Sequence, residues 1–307
     1  MHQFRIPPEQ NDLPGAAFPG QVSLGWERWR DAAEKLPDAK TRAFAMELAE
    51  NPNQSRLMEA LFGNSPFLTQ AAIKDIPFIY ELFIEGPDRV YISVIKALER
   101  SCKEGIDENG LAKALRVAKG RMALTIAIAD IIGAWSLDKV IKSLSDFAEA
   151  ALGHAVTHLL LAMENRGAFS LPFAGDPERG SGLIVLALGK LGAGELNYSS
   201  DIDLIVLFDP TRIKTERPEN LQSAFVRLTK GLVRLFDERT PDGYVFRTDL
   251  RLRPDPASTP LAVSVKAAEI YYESLGQNWE RAAMIKARQV AGDREAGQAF
   301  LKMLRPF

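Results

Sequence analysis

The chain has 307 residues, 46% hydrophobic and 25% charged, with a formal net charge of −2, enough apolar material for a sizeable core and more than one domain. A sequence pI near 6.0 and the lack of any basic run disfavour a nucleic-acid partner, while a single cysteine, Cys102, excludes a disulfide framework and fits a reducing compartment. The N-terminus has no apolar leader, and the longest apolar stretch, Met122–Trp135, is short and carries Asp130, so a cytoplasmic protein with no membrane contact is expected.

Residues 1–20 are rich in Pro and Gly and read as a loop or extended lead-in. From Leu24 to Gly167 the pattern is helical almost throughout. Trp26, Trp29, Ala33 and Leu36 recur at helical spacing before Pro37, as do Leu57, Leu61 and Phe62 before Gly63. Pro66 restarts a helix, Pro77 marks a break, and Pro87 begins another helix carrying Val90, Val94 and Leu98. Leu111–Ala134 and Ser136–Asn165 then read as two long helices with Gly133 near their junction. His154 and His158 lie at i, i+4 on the second of these, but no third ligand accompanies them. Residues 1–167 thus form a helical region, and the Gly- and Pro-dense segment 168–182 reads as a linker.

The chemistry begins at Leu183. LIVLAL (183–188) is a continuous apolar run closed by Gly189, the pattern of a strand covered on both faces. A glycine-rich turn follows, then a second apolar run opening on Asp201 and Asp203. Residues i and i+2 of a strand face the same side, so both carboxylates point at one spot. Two such carboxylates repel unless a cation lies between them, and hard oxygen ligands favour Mg²⁺ or Mn²⁺. Backbone N–H groups of the glycine turn offer a cradle for phosphate oxygens. The turn is neither a Walker loop, because Ile184 and Leu191 stand at the wrong places, nor a dinucleotide fingerprint, because Asn197 replaces its last glycine.

Pro218–Glu238 reads as an amphipathic helix with Leu221, Phe225, Leu228, Leu232 and Leu235 in one stripe. GYVFRTDLRLRP (243–254) alternates, which predicts a strand with Tyr244, Phe246, Thr248, Leu250 and Leu252 inward. Asp249 would then share the other face with Arg247, Arg251 and Arg253. Asp249 is the candidate third carboxylate, and arginine forks suit phosphate. The order strand, strand, helix, strand predicts a small mixed sheet over 183–262 with at least one helix packed on it. From Val263 to 307 the helical pattern returns, and the chain is expected to continue beyond Phe307. The fold class is therefore α+β: a mostly helical chain with a catalytic domain over 183–262, preceded by a helical domain.

Gly189-Lys190, Gly192 and Ser200-Asp201-Ile202-Asp203 resemble the signature of the DNA-polymerase-β-like nucleotidyltransferase superfamily, with Lys190 in place of the usual serine. More closely, GKLGAGELNYSSDIDLI, VFRTDLRLRPDPASTPLAVS and YYESLGQNWERAAMIKAR are similar to the glutamine synthetase adenylyltransferase/adenylyl-removing family. The likeness is strong from Leu183 to Asp293 and looser over the helices before it. The helical arm before the domain and Asn278-Trp279-Glu280-Arg281 resemble that family's N-terminal half. The resemblance implies a polymerase-β-like domain that removes AMP from a tyrosine of glutamine synthetase by phosphorolysis, releasing ADP. It implies two divalent cations (Mg²⁺, or Mn²⁺) held by Asp201, Asp203 and Asp249. Gly189, Lys190, Gly192, Ser200, Arg251 and Arg253 would then contact phosphate or nucleotide. Adenylylated glutamine synthetase, phosphate, ADP or ATP, and the PII signalling protein follow as partners. Glu195, Asn197, Trp279, Glu280 and Arg281 match the pattern without a chemical role. Two other readings stay open: transfer of AMP from ATP at the same site, and a non-catalytic docking module for glutamine synthetase and PII.

Overall fold

Prolines set the starts of the N-terminal helices. A proline at the first helical position costs no hydrogen bond, because that N–H has no intrahelical partner. Helices α1 (Pro19–Glu34), α3 (Pro52–Asn64), α4 (Pro66–Lys74) and α6 (Pro87–Ser101) open this way. Side chains cap others: Asp38 accepts from the Thr41 N–H at the head of α2 (Ala39–Glu50), and Asp75 from Phe78 at the head of α5 (Ile76–Glu85). The computed structural model describes residues 13–102 and 105–305. The lead-in expected over 1–20 falls partly outside them; residues 13–18 are irregular, and α1 already covers Pro19 and Gly20.

By its contacts the chain forms two units, one of Met1–Ser101 with Val117–Val140, the other of Cys102–Arg116 with Ile141–Phe307. The first is all helical: α1–α6 and the later part of α7 (Glu108–Ile131). Its tryptophans are core, as their spacing predicts. Trp29 is fully buried and donates from Nε1 to the Ala45 carbonyl at 2.9 Å, and Trp26 meets Phe62 edge-on at 5.1 Å. α4 ends and α5 begins around Asp75, so Pro77 marks the expected break.

The second unit holds the sheet: β1 (Leu183–Ala187), β2 (Ile202–Phe208), β3 (Thr248–Asp249), β4 (Ala262–Ser264) and β5 (Arg288–Gly292). β1 runs antiparallel between β2 and β5. Along its other edge β2 pairs in parallel twice, with β3 at Ile202 and Asp203 and with β4 from Val206 to Phe208. The sheet is mixed, as the element order predicts. On one face, α10 (Leu221–Asp237) lays Phe225 against Phe208, rings stacked at 4.7 Å. On the other, Ile184, Leu186, Ile205 and Leu207 pack with Ala268 and Tyr272 of α11 (Val265–Ser274) and with Ala296 and Phe300 of α13 (Arg294–Leu304). Cover on both faces explains why β1 and, past Asp203, the Leu204–Phe208 part of β2 are apolar runs: each fully buried Leu, Ile or Val contributes about 1.5–3 kcal/mol.

Two expectations need correcting. β5 lies in the stretch read as helical after Val263, so the sheet extends past residue 262. RQVAG lacks the apolar alternation that marks a strand, and its pairing with β1 carries it. Residues 141–165, the larger part of α8 (Leu137–Asn165), belong by contacts with the sheet rather than with the helices before them. Segment 168–182 is irregular but not free. Phe169 stacks on Phe225, and Glu178 accepts from the Gly292 N–H at 2.5 Å and from the Thr157 hydroxyl at 3.0 Å. Among the described residues no helix is long and apolar enough to cross a membrane.

Candidate active site

The site forms where β1 turns into β2. Gly189 opens the four-residue helix α9 (Gly189–Gly192) with φ +55°, a left-handed conformation that glycine tolerates best. A Cβ there would lie 2.7 Å from an Asp203 carboxylate oxygen, so glycine is what lets the turn and the carboxylate touch. At Gly192 a Cβ would meet the Lys286 carbonyl at 2.2 Å and the Ala187 carbonyl at 2.6 Å, which closes α9 against β1 and the approach to β5.

Asp203 is the Cα partner of Asp249 across the parallel β2–β3 pair, and Asp201 lies one residue ahead of β2. The three aspartates named from sequence therefore stand on one edge. The Asp203 carboxyl is held above its ordinary range, first by burial, then by the charges of Asp249 and Asp201. The Asp249 carboxyl is pulled below that range by hydrogen bonds from Arg251, whose Nε donates to both carboxylate oxygens at 3.0 and 2.9 Å. Asp201 pairs with Arg247 Nε, and Arg247 Nη2 donates to the Ser199 carbonyl at 2.9 Å.

Among the described residues no three acidic, His or Cys side chains converge as a ready-made ligand set. The donor chemistry nevertheless suits a hard divalent cation. Three carboxylates share one edge, one of them raised by burial and by the other two, and two are paired with exposed arginines rather than with the core.

Lys190 is exposed on α9 and donates from Nζ to the Asn197 side-chain carbonyl at 3.2 Å; Ser200 Oγ donates to the same oxygen. Glu195 pairs with Lys286 at 3.1 Å, and the Leu196 N–H donates to Ser145 Oγ on α8 at 3.0 Å, anchoring the start of the loop. Arg253 departs from expectation. The chain turns after Asp249 instead of continuing as a strand to Pro254, and Arg253 folds back into the turn. Its guanidinium donates to the carbonyls of Leu250 (2.8 Å), Pro256 (2.8 Å) and Thr259 (3.3 Å), so it braces the loop instead of facing the site. Glu280 is likewise structural. It is buried, accepts from the Tyr271 hydroxyl and the Gln277 N–H, and caps α12 (Asn278–Met284), whose Trp279 is exposed.

Two residues that the sequence did not single out, and Arg247, which it named without a specific role, support the site. Asp237, the last residue of α10, accepts from the Thr248 N–H at 2.8 Å and the Thr248 hydroxyl at 3.1 Å, seating β3. Arg247 holds Asp201; its place among alternating arginines hinted at a site without telling which arginine acts. Arg288 of β5 is gripped by Glu149 of α8 at 2.6 and 2.7 Å and donates to the carbonyls of Leu191 and Gly192, locking α9. Nothing local in the sequence joins residues 149 and 288.

A glycine turn against an Asp-x-Asp strand, with a third aspartate in register on a parallel neighbour, is the arrangement expected of a nucleotidyltransferase. The comparisons narrow this. A family model described as glutamate-ammonia ligase adenylyltransferase matches residues 55–303, and the chain belongs to that family. Among curated proteins it is 47% identical over 254 residues to the bifunctional glutamine synthetase adenylyltransferase/adenylyl-removing enzyme of Rhizobium meliloti, covering 81% of this chain and 26% of that protein. It is 44% identical over 274 residues to the same-named enzyme of Agrobacterium fabrum, covering 88% and 28%. With that of Bradyrhizobium sp. strain BTAi1 it shares 48% over 243 residues, covering 79% and 25%. The chain thus spans about a quarter of the length of these relatives.

Proposed function

We propose that this chain carries out nucleotidyl transfer on glutamine synthetase in the direction of adenylyl removal. An oxygen of inorganic phosphate bonds to the phosphorus of the AMP–tyrosine link, the bond from phosphorus to the tyrosine oxygen breaks, and ADP and free tyrosine result once the phenolate takes up a proton. The observation that carries the reading is Asp203, set against the Gly189 turn and in register with Asp249, its carboxyl raised first by burial and then by the charges of Asp249 and Asp201. Family membership supports the substrate, and the polymerase-β-like architecture and the choice of the N-terminal, phosphorolytic half rest on the sequence resemblance.

Asp201, Asp203 and Asp249 would hold two divalent cations, Mg²⁺ or Mn²⁺, which when bound offset charge on the attacking and departing oxygens. Arg247 and Arg251, released from Asp201 and Asp249, become free to take phosphate oxygens, and exposed Lys190 adds a third cation beside the turn. Ser200 orients the Asn197 side chain that Lys190 also contacts. Backbone N–H groups at the head of α9, by Gly189, would meet the phosphate; Gly192, expected there too, is buried and its N–H donates to the Leu188 carbonyl at 2.9 Å, so it shapes the turn instead. The PII signalling protein is a proposed regulator of the longer enzyme.

The test is to incubate the chain with adenylylated glutamine synthetase, Mg²⁺ and phosphate, and in parallel with unmodified synthetase, Mg²⁺ and ATP. ADP release that requires phosphate, with recovery of unmodified synthetase, supports the reading. AMP transfer from ATP without ADP release in the first arm would reverse the direction, and binding without turnover in either arm would leave a docking module.

A further inference from the structure

The second unit carries a groove of 320 Å³ whose lining includes residues of α8 and α10 and none of the three aspartates. Its floor is apolar. Leu159 and Met163 are buried, and a Cβ at Gly231 would lie 2.8 Å from Leu159 Cδ2, so the α10 backbone comes down onto α8 at this point. Its walls are cationic. Arg227, Lys230 and Arg234 recur at i, i+3 and i+7 along the exposed side of α10, and Arg166 follows the last turn of α8. One carboxylate answers them: Glu108, at the start of α7, pairs with Arg234. Among the described residues Arg166, Arg227 and Lys230 have no carboxylate within ion-pair distance. Four cations around one carboxylate, on a chain of net charge −2, make a local field that draws anions.

We propose that this groove is a second ligand site and binds an oligophosphate chain. With a rise of 1.5 Å per residue, Arg227 and Arg234 stand about 10 Å apart along α10. A single carboxylate or monophosphate reaches only part of that row. A di- or triphosphate presents successive anionic groups along it, and guanidinium forks hold such oxygens in pairs. The chemistry has two sources, inorganic pyrophosphate or polyphosphate and the phosphate tail of a nucleotide. The inference does not depend on the direction of catalysis.

Isothermal titration calorimetry in EDTA tests it, because nucleotide held through divalent cations at the aspartates is lost there. The titrants are pyrophosphate and ATP, and the proteins are the wild-type chain, Asp203→Asn and Arg227→Glu/Lys230→Glu. Wild type and Asp203→Asn should bind alike, the charge reversal should weaken binding at least tenfold, and added KCl should weaken it further. Tighter binding of ATP than of pyrophosphate assigns the site to a nucleotide; equal binding assigns it to the phosphate chain alone. Arg227→Gln/Lys230→Gln, milder at two exposed positions, should give an intermediate loss, with circular dichroism confirming the fold of each variant. No binding by the wild type, or binding that the groove variants leave unchanged, overturns the proposal, as does loss in Asp203→Asn alone.

Discussion

Gly189→Ala separates two costs that the turn imposes. The first is conformational: φ of +55° costs a residue with a Cβ about 1–2 kcal/mol. The second is contact. The new methyl would lie 2.7 Å from Asp203 Oδ2, and displacing that carboxylate from its rotamer costs about 0.5–1.5 kcal/mol. The sum is about 1.5–3.5 kcal/mol. Gly194→Ala is the control, because Gly194 also has positive φ, +72°, but its Cβ would meet nothing within 4 Å. Urea denaturation should therefore show Gly194→Ala losing about 1–2 kcal/mol and Gly189→Ala about 1 kcal/mol more, at unchanged m value. Turnover should separate them further, because moving a reacting group by about 1 Å costs about a hundredfold. Gly194→Ala should stay near wild type and Gly189→Ala should fall about a hundredfold. Equal stability losses together with equal activities would refute the argument that the turn positions Asp203.

Asp203→Asn should gain stability relative to wild type as pH rises. Burial and two neighbouring carboxylates raise the Asp203 carboxyl, so its stabilising contribution is present below its ordinary pKa of 3.8 and lost as pH climbs through the raised value. Urea midpoints of both proteins from pH 3 to pH 7, taken as roughly the range spanning that loss, should diverge upward, and parallel curves would count against it. Arg116→Ala should cost about 3 kcal/mol in the same assay. Arg116 is buried and donates to the carbonyls of Ala112, Glu238 and Gly243, which lose their partner. Asp237→Ala removes the acceptor of both Thr248 donors. It should cost about 1–2 kcal/mol and lower kcat more than it raises the KM for phosphate, because β3 carries Asp249.

The sheet centre and its aspartates were legible because their signals are local. A short apolar run rich in branched residues and closed by glycine reads as a strand covered on both faces, and Asp-x-Asp at the head of the next run brings two carboxylates together by strand period. β5 was not legible, since RQVAG is a strand only through β1. The alternation over 243–254 misled for a related reason. Period 2 put Asp249 and Arg251 on one strand face; they do pair, but through the turn after Asp249, where the Arg251 N–H and guanidinium both close on that carboxylate. It could not show that Arg253 turns back onto the carbonyls of Leu250, Pro256 and Thr259. Asp237, Glu149 and Arg288 act across long sequence separations, and no spacing rule announces such contacts.

The aspartate edge is tested most directly by Mn²⁺ binding, followed by electron paramagnetic resonance of the free ion. The wild-type chain should take up two ions, and Asp203→Asn and Asp249→Asn should each lose at least one. Arg247→Ala and Arg251→Ala should bind more tightly than wild type, because each frees a carboxylate that the arginine now holds. Uptake unchanged by loss of Asp203 or Asp249 would contradict the assignment of this edge as the catalytic centre.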